Sequence, residues 1–192
     1  MARKDEHSVY QLRVLLRDIH PPIWRRVQVW DDVTLAQLHR ILQIVMSWED
    51  CHLHQFRIGG GVYSVPDSED KLCERNIIDE HRPRLREVVS AVGAKFNYEY
   101  DLGDGWHHEL SLEAIVKPEP GAHYPRCIGG ERAAPPEDIG GPPGYENFLH
   151  AITDPAHEEH EDMLQWRGPL DPECFSLDFV NRQLQKKFRS TG

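Results

Sequence analysis

No run in this 192-residue chain approaches the ~18 consecutive apolar residues of a membrane span, so none is expected. The opening MARKDEHS is polar and charged, with no apolar stretch behind it, and does not read as a secretory signal. Cysteine is scarce: Cys51, Cys73, Cys127 and Cys174 are scattered, and no two have C-x-x-C spacing. These absences predict a cytoplasmic protein with reduced thiols. Phosphate-cradling motifs are missing too. Neither Gly129-Gly130 nor Gly140-Gly141 is followed by Lys-Ser/Thr, and no G-x-G-x-x-G occurs. Tight turns account for both glycine pairs. No Ser/His/Asp signature is visible. Basic residues are outnumbered, 22 against 32 acids, for a net charge of −10. Such a chain is repelled by phosphate backbones, which argues against non-specific nucleic-acid binding. The clusters Arg13, Arg17, Arg25, Arg26 and Arg82, Arg84, Arg86 read as solvated strand and loop surface.

Apolar residues make up 39% and include five tryptophans, enough for a real core. Tyr10, Leu12, Val14 and Leu16 alternate with Gln11 and Arg13, the strand period. A turn at Asp18–Pro22 leads to a second strand from Ile23 to Trp30, giving an antiparallel hairpin. Arg25 shares the face of Ile23, Val27 and Val29, so it is expected near a sheet end or edge. A helix over 34–47 follows, with Thr34 and Gln37 at capping-box spacing and Leu35, Leu38, Ile41, Leu42, Val45 and Met46 on one face. A third strand is read at 52–58, a short one at 62–65, an extended piece at 76–78 and a helical turn near Leu85–Val89. Phe96, Tyr98 and Tyr100, the turn Leu102-Gly103-Asp104-Gly105, and Trp106, His108, Leu110 and Leu112 form a second hairpin signal. Helices close the chain, around Tyr145–Ile152 and after Ser176.

The fold class is therefore α+β: a β-grasp-like (ubiquitin-like) N-terminal element, extended by a further β-hairpin and C-terminal helices. Residues 1–7 form a polar tail and 8–190 a single domain. Between the patterned regions lies Tyr124–Leu149, YPRCIGGERAAPPEDIGGPPGYENFL. Its Tyr124, Ile128, Ile139, Tyr145 and Phe148 are anchors that a disordered linker would not need, so the segment reads as an ordered functional loop.

Chemistry-bearing residues cluster in three places. His52 and His54 are two apart on a strand, so both imidazoles project from one face and can supply two metal ligands, with His108 as a third. Partly buried, hydrogen-bonded imidazoles are the simpler reading. Asp101, Asp104, Glu109, Glu137 and Asp138 could pair for acid–base work or hold a cation, although Asx turns explain Asp101 and Asp104 without chemistry. Cys127 reads as a small buried hydrophobe. His157-Glu158-Glu159-His160 spaces its histidines three apart, not the four of a zinc-protease helix.

Several of these segments together resemble the plasmid pRiA4b ORF-3-like family: YQLRVLLRDIHPPIWRRVQV, TLAQLHRILQIVMSW, HLHQF, YEYDLGDGWHHEL and CIGGERAAPPEDIGGPPGYENFL, in order over residues 8 to 190. The resemblance implies a compact α+β domain associated with plasmids and insertion-sequence passenger genes, some labelled TnpR-like. The family often carries a second cysteine where this chain has Ala134, which weakens any two-thiol site built on Cys127. The expected function is a non-catalytic binding or accessory module linked to mobile elements. Its binding surface is read at His52, His54, Asp101, Asp104, Trp106, His108, Cys127, Arg132, Glu137, Asp138 and Tyr145. The partner is an unknown protein or small-molecule ligand. No cofactor is expected, with a divalent metal as the exception. The alternatives are a metal-dependent, hydrolase-like enzyme using His52, His54 and His108 with nearby carboxylates, and a DNA-transaction accessory factor.

Overall fold

The structure is a computed structural model, and it describes residues 7–66 and 76–188. Eight strands form one mixed sheet, in the order β5-β4-β3-β6-β7-β1-β2-β8. In chain order they are β1 (Val9–Leu16), β2 (Ile23–Trp30), β3 (His54–Ile58), β4 (Gly61–Ser64), β5 (Ile77–Asp79), β6 (Lys95–Tyr100), β7 (Trp106–Val116) and β8 (Arg126–Glu131). Among the described strands only β4 and β5 pair in parallel. The described helices are α1 (Leu35–Met46), α2 (Leu85–Val88), α3 (Gly141–Thr153), α4 (His160–Arg167) and α5 (Leu177–Lys187).

The β1–β2 hairpin pairs Val9 with Trp30 and Leu16 with Ile23, as the alternation predicts. The third strand joins the same sheet, but β6 and β7 lie between it and the hairpin. The N-terminal strands and helix are therefore not a self-contained unit, because β1 takes its second partner, β7, from a hundred residues downstream. A bulge at Glu113, where Gln11 faces Ala114 and Leu12 faces Leu112, keeps the apolar sides of β1 and β7 in phase.

Helix α1 is amphipathic and starts at a capping box: Thr34 accepts from the Gln37 amide while the Gln37 side chain accepts from the Thr34 amide. Its Leu38, Ile41, Leu42 and Val45 are fully buried with Leu12, Val14, Val27, Phe56, Tyr98 and Leu110 of the sheet. Burial on this scale is worth about 1.5–3 kcal/mol per large apolar side chain. At the other end, α5 packs beside β8. Asn181 takes the place of a strand partner there, accepting from the Cys127 amide and donating to the Cys127 carbonyl, both at 2.8 Å.

Two expectations need correction. Arg25 is not solvated strand surface: it lies on the core face near one end of β2, beside the edge strand β8, and is 2% exposed. Its guanidinium donates to the carbonyls of Trp24, Val45, Glu131 and Arg132 at 2.7–2.8 Å and stacks on Phe175. Four backbone acceptors replace the water it has lost, although desolvation still lowers its pKa to about 10. Second, the 124–149 segment is β8, a turn and the start of α3. Tyr124, Ile139, Tyr145 and Phe148 are buried anchors, but Ile128 is exposed because its odd position on β8 faces away from the core. The sequence pattern reads 67–79 largely as loop, and of it residues 67–75, including Cys73, lie outside the described residues.

Candidate functional site

His52, Asp101, Glu137 and Asp138 converge from three different connections. His52 lies in the loop between α1 and β3, Asp101 in the β6–β7 turn, and Glu137 and Asp138 in the segment linking β8 to α3. The connection after α1 is fixed by Trp48, whose ring stacks on Tyr100 and whose indole nitrogen donates to the Pro135 carbonyl at 2.9 Å. Trp106 lies beneath that pair, fully buried. Asp101 adopts a left-handed backbone, φ 53°, and its Oδ1 accepts from the amides of Gly103 and Asp104. That is the Asx turn its sequence suggests, and it leaves Oδ2 free to face His52. Asp50 and Asp138 are also left-handed, at φ 59° and 58°. Non-glycine residues in this region carry strain and concentrate at ligand clamps.

The Nε2 of His52 is 3.0 Å from Asp138 Oδ1, 3.6 Å from Asp101 Oδ2 and 3.9 Å from Glu137 Oε2. None of these contacts is a hydrogen bond, the first failing on alignment and the other two on distance, and both His52 Nε2 and Glu137 Oε2 are buried without a partner. The other Glu137 oxygen is fully engaged, accepting from the Glu49 amide at 2.7 Å and the Tyr100 hydroxyl at 3.0 Å. Tyr100 is itself fixed by the Cys51 amide; burial is the first reason its phenol is held above the usual range, so it stays a donor. The Cys51 thiol belongs to the same cluster, within 4.8 Å of the His52 and Glu137 ligand atoms. Among the described residues no Lys or Arg pairs with any of the three carboxylates. Three carboxylates thus crowd one imidazole with no basic side chain among the described residues to offset them.

The other residues singled out in the sequence go elsewhere. His54 stacks on His39 with ring centroids 3.4 Å apart and planes 2° from parallel. Its Nε2 meets buried Glu80 at 2.8 Å, while His39 meets Tyr98 at 2.8 Å and Asp50 at 2.6 Å. His108 is fully enclosed. Its Nδ1 donates to the Trp106 carbonyl, and burial pushes its pKa down to about 3. The proposed trio His52, His54 and His108 is thus divided among three environments, because β3 begins only at His54 and His52 lies in the loop before it, outside the strand's alternation. Asp104 accepts from the Gly140 amide at 2.9 Å, tying the β6–β7 turn to the start of α3. A side chain at Gly141 would collide with the Asp104 carbonyl. Cys127 is buried on β8, its thiol pushed up by burial, which suits packing better than nucleophilic chemistry. Arg132 and Tyr145 line a separate cleft. In the acidic segment, His157 and His160 serve local backbone contacts.

The sequence reading missed Cys51, Tyr100 and Glu80, and it missed His39. A signal existed for the last: His39 and Gln43 are polar, one helical turn apart, beside the apolar stripe of α1. Nothing local marks Glu80.

Residues 8–179 match the sequence model described as Plasmid pRiA4b ORF-3-like protein. A protein of Sinorhizobium fredii (strain NBRC 101917 / NGR234), described as "Uncharacterized protein y4hQ", is 39% identical over 173 residues, 90% of this chain and 87% of that protein. The crystal structure of a protein of unknown function, MM3350 from Methanosarcina mazei Go1, superimposes with a TM-score of 0.80 at 36% identity, over 89% of this chain and 96% of that one.

Proposed function

The chain belongs to the plasmid pRiA4b ORF-3-like family, and from that premise we propose that it is a binding module built around a divalent transition-metal centre. The ion is held by His52, Asp101, Glu137 and Asp138, with Cys51 at its margin. One observation carries this reading: two buried atoms with no protein partner, His52 Nε2 and Glu137 Oε2, face each other across 3.9 Å with two further carboxylates beside them. Leaving buried polar atoms unpaired costs about 1–3 kcal/mol each, and a dication satisfies both. A nitrogen ligand among carboxylates suits Zn²⁺, Mn²⁺ or Fe²⁺ better than Mg²⁺ or Ca²⁺. Tyr100 orients Glu137 from behind, the outer contact that metal-binding carboxylates commonly have. The sequence by itself ranks the metal second to an ion-free surface; we put it first, on the strength of the two unpartnered atoms. The plasmid in the family's description supports an accessory role in mobile elements.

Elemental analysis and calorimetric titration with Zn²⁺ and Mn²⁺ test this. One equivalent should bind, and binding should be lost in His52→Ala and weakened about a hundredfold in Glu137→Gln. Absence of binding, or binding that survives both changes, overturns the reading.

A second reading, metal-assisted hydrolysis, is favoured by one feature. Asp138 is 69% exposed, so the centre opens to solvent on that side. Catalytic metal sites keep such an open position for water. Metal-dependent turnover of a chromogenic ester or phosphate, abolished by His52→Ala, would support it over a binding role.

A further inference from the structure

The cleft that holds Arg132 and Tyr145 is a second place where the fold leaves polar chemistry unused. It encloses about 480 Å³ between the β1–β2 turn, the end of β8 and the first turns of α3. Tyr145 is among its lining residues, 1% exposed, and its hydroxyl is buried without a partner. Burial raises the phenol's pKa, so it is a proton donor at neutral pH. Beside it Arg132 is 6% exposed and holds a left-handed backbone, φ 65°. Its Nε donates to Glu173 Oε1 and its Nη1 to the Pro21 carbonyl, which fixes the plane of the guanidinium. Nη2 makes no hydrogen bond among the described residues.

The walls are apolar. Ile19, Pro142, Pro143 and Leu149 line them. Pro142 and Pro143 stand in the first turn of α3, where prolines have no N–H to offer. The helix start therefore gives flat hydrocarbon surface instead of backbone donors. Acidic and imidazole groups, among them Asp18 and Glu146, stand at the rim and are exposed.

We infer that this cleft binds a small carboxylic acid with a compact apolar body. The carboxylate takes the Tyr145 hydroxyl and Arg132 Nη2, and the body packs on Pro142, Pro143, Ile19 and Leu149. Pockets of this kind are mostly apolar with a few convergent polar groups that fix orientation. A rigid guanidinium and a neutral phenol are both donors, which selects an acceptor-only headgroup. The site shares no residue with the metal centre, and the inference does not depend on it.

Phenylacetate is a suitable probe, with phenethylamine as its charge-reversed counterpart and phenylacetamide as its neutral one. Binding is followed in the full chain by NMR shifts of the Ile19 and Leu149 methyl groups at ligand concentrations up to about 10 mM, the range expected for a fragment of this size. Phenylacetate should saturate these shifts, the amide should bind less tightly, and the amine should not bind. Tyr145→Phe removes only a hydroxyl that has no protein partner, so the melting temperature should hold or rise while phenylacetate affinity falls about tenfold. His52→Ala should leave phenylacetate binding intact. No saturable shift, an amine that binds more tightly than the acid, or an affinity unchanged by Tyr145→Phe in a folded protein overturns the proposal.

Discussion

His52 and His54 stand two residues apart, yet they enter opposite kinds of environment. Both nitrogens of His39 are partnered, and its stacked neighbour His54 meets Glu80 at 2.8 Å, with Tyr98 and Asp50 completing the set. Around His52 the Nε2 and one Glu137 oxygen have no partner, and three carboxylates crowd one ring. A satisfied buried network rigidifies the fold, whereas an unsatisfied one is strained until something enters it. The same residue type in the same short motif thus closes a satisfied network in one place and leaves buried polar atoms unpartnered in the other.

The largest test of this contrast is Glu80→Ala. Glu80 is 2% exposed and partners His54, so its removal should destabilise the fold by about 3–5 kcal/mol without changing metal stoichiometry. Urea melts measure it; a loss below about 1 kcal/mol would mean that the stacked pair is no more structural than the His52 centre.

Glu137→Gln should do the reverse. Metal affinity should fall about a hundredfold, roughly 2.7 kcal/mol, while the metal-free protein stays as stable or gains slightly, since one of three crowded charges has gone. Unchanged affinity with lowered stability would make Glu137 a structural residue like Glu80.

Acidification separates the regions by a third route. Burial lowers the pKa of His39 to about 4 and that of His108 to about 3, from the ordinary 6.5. In the window from pH 6.5 down to those values the unfolded chain binds protons that the folded one refuses. Stability is therefore full above pH 6.5 and falls as pH drops, by up to about 1.4 kcal/mol per pH unit for each histidine. Melts of metal-free protein at pH 7, 6 and 5 should show this slope, and His39→Gln should reduce it. A flat profile would mean that the buried rings accept protons in place. The smallest effect belongs to Asp138→Asn. Its side chain is largely exposed, so metal affinity should drop only a fewfold and stability should change by less than about 0.5 kcal/mol; a large loss of either would move the ion's main anchor to the open side of the centre.

Much of the fold was legible from local pattern. The two hairpins, the capped helix α1 and the Ser176-capped helix α5 follow from periods of two and 3.6 residues and from capping chemistry. Of the candidate site, His52, Asp101, Glu137 and Asp138 were read as chemically dense and do converge, but His54, His108 and Cys127 were grouped with them and lie apart. Spacing alone placed His52 and His54 on one face. What defeated that inference is where β3 starts, a matter of its pairing with β6: His54 faces Tyr100 as the first paired residue, and His52 precedes the ladder.

Arg25 shows the same limit. Its position on the inward face of β2 could be read from alternation, and an inward arginine in isolation is best placed at an edge. Only the tertiary structure brings the carbonyls of Val45, Glu131 and Arg132 to its guanidinium, which makes deep burial tolerable. Sequence by itself determined the elements, their inward faces and the acidic character of the chain, because these depend on neighbours within a few residues. Which histidine is satisfied and which is left open was decided by contacts such as His54 with Glu80 and His52 with Glu137, spanning 26 and 85 positions of chain. The energy of a buried polar atom depends on whether a partner reaches it, and that is a property of the assembled sheet and its loops rather than of any local stretch.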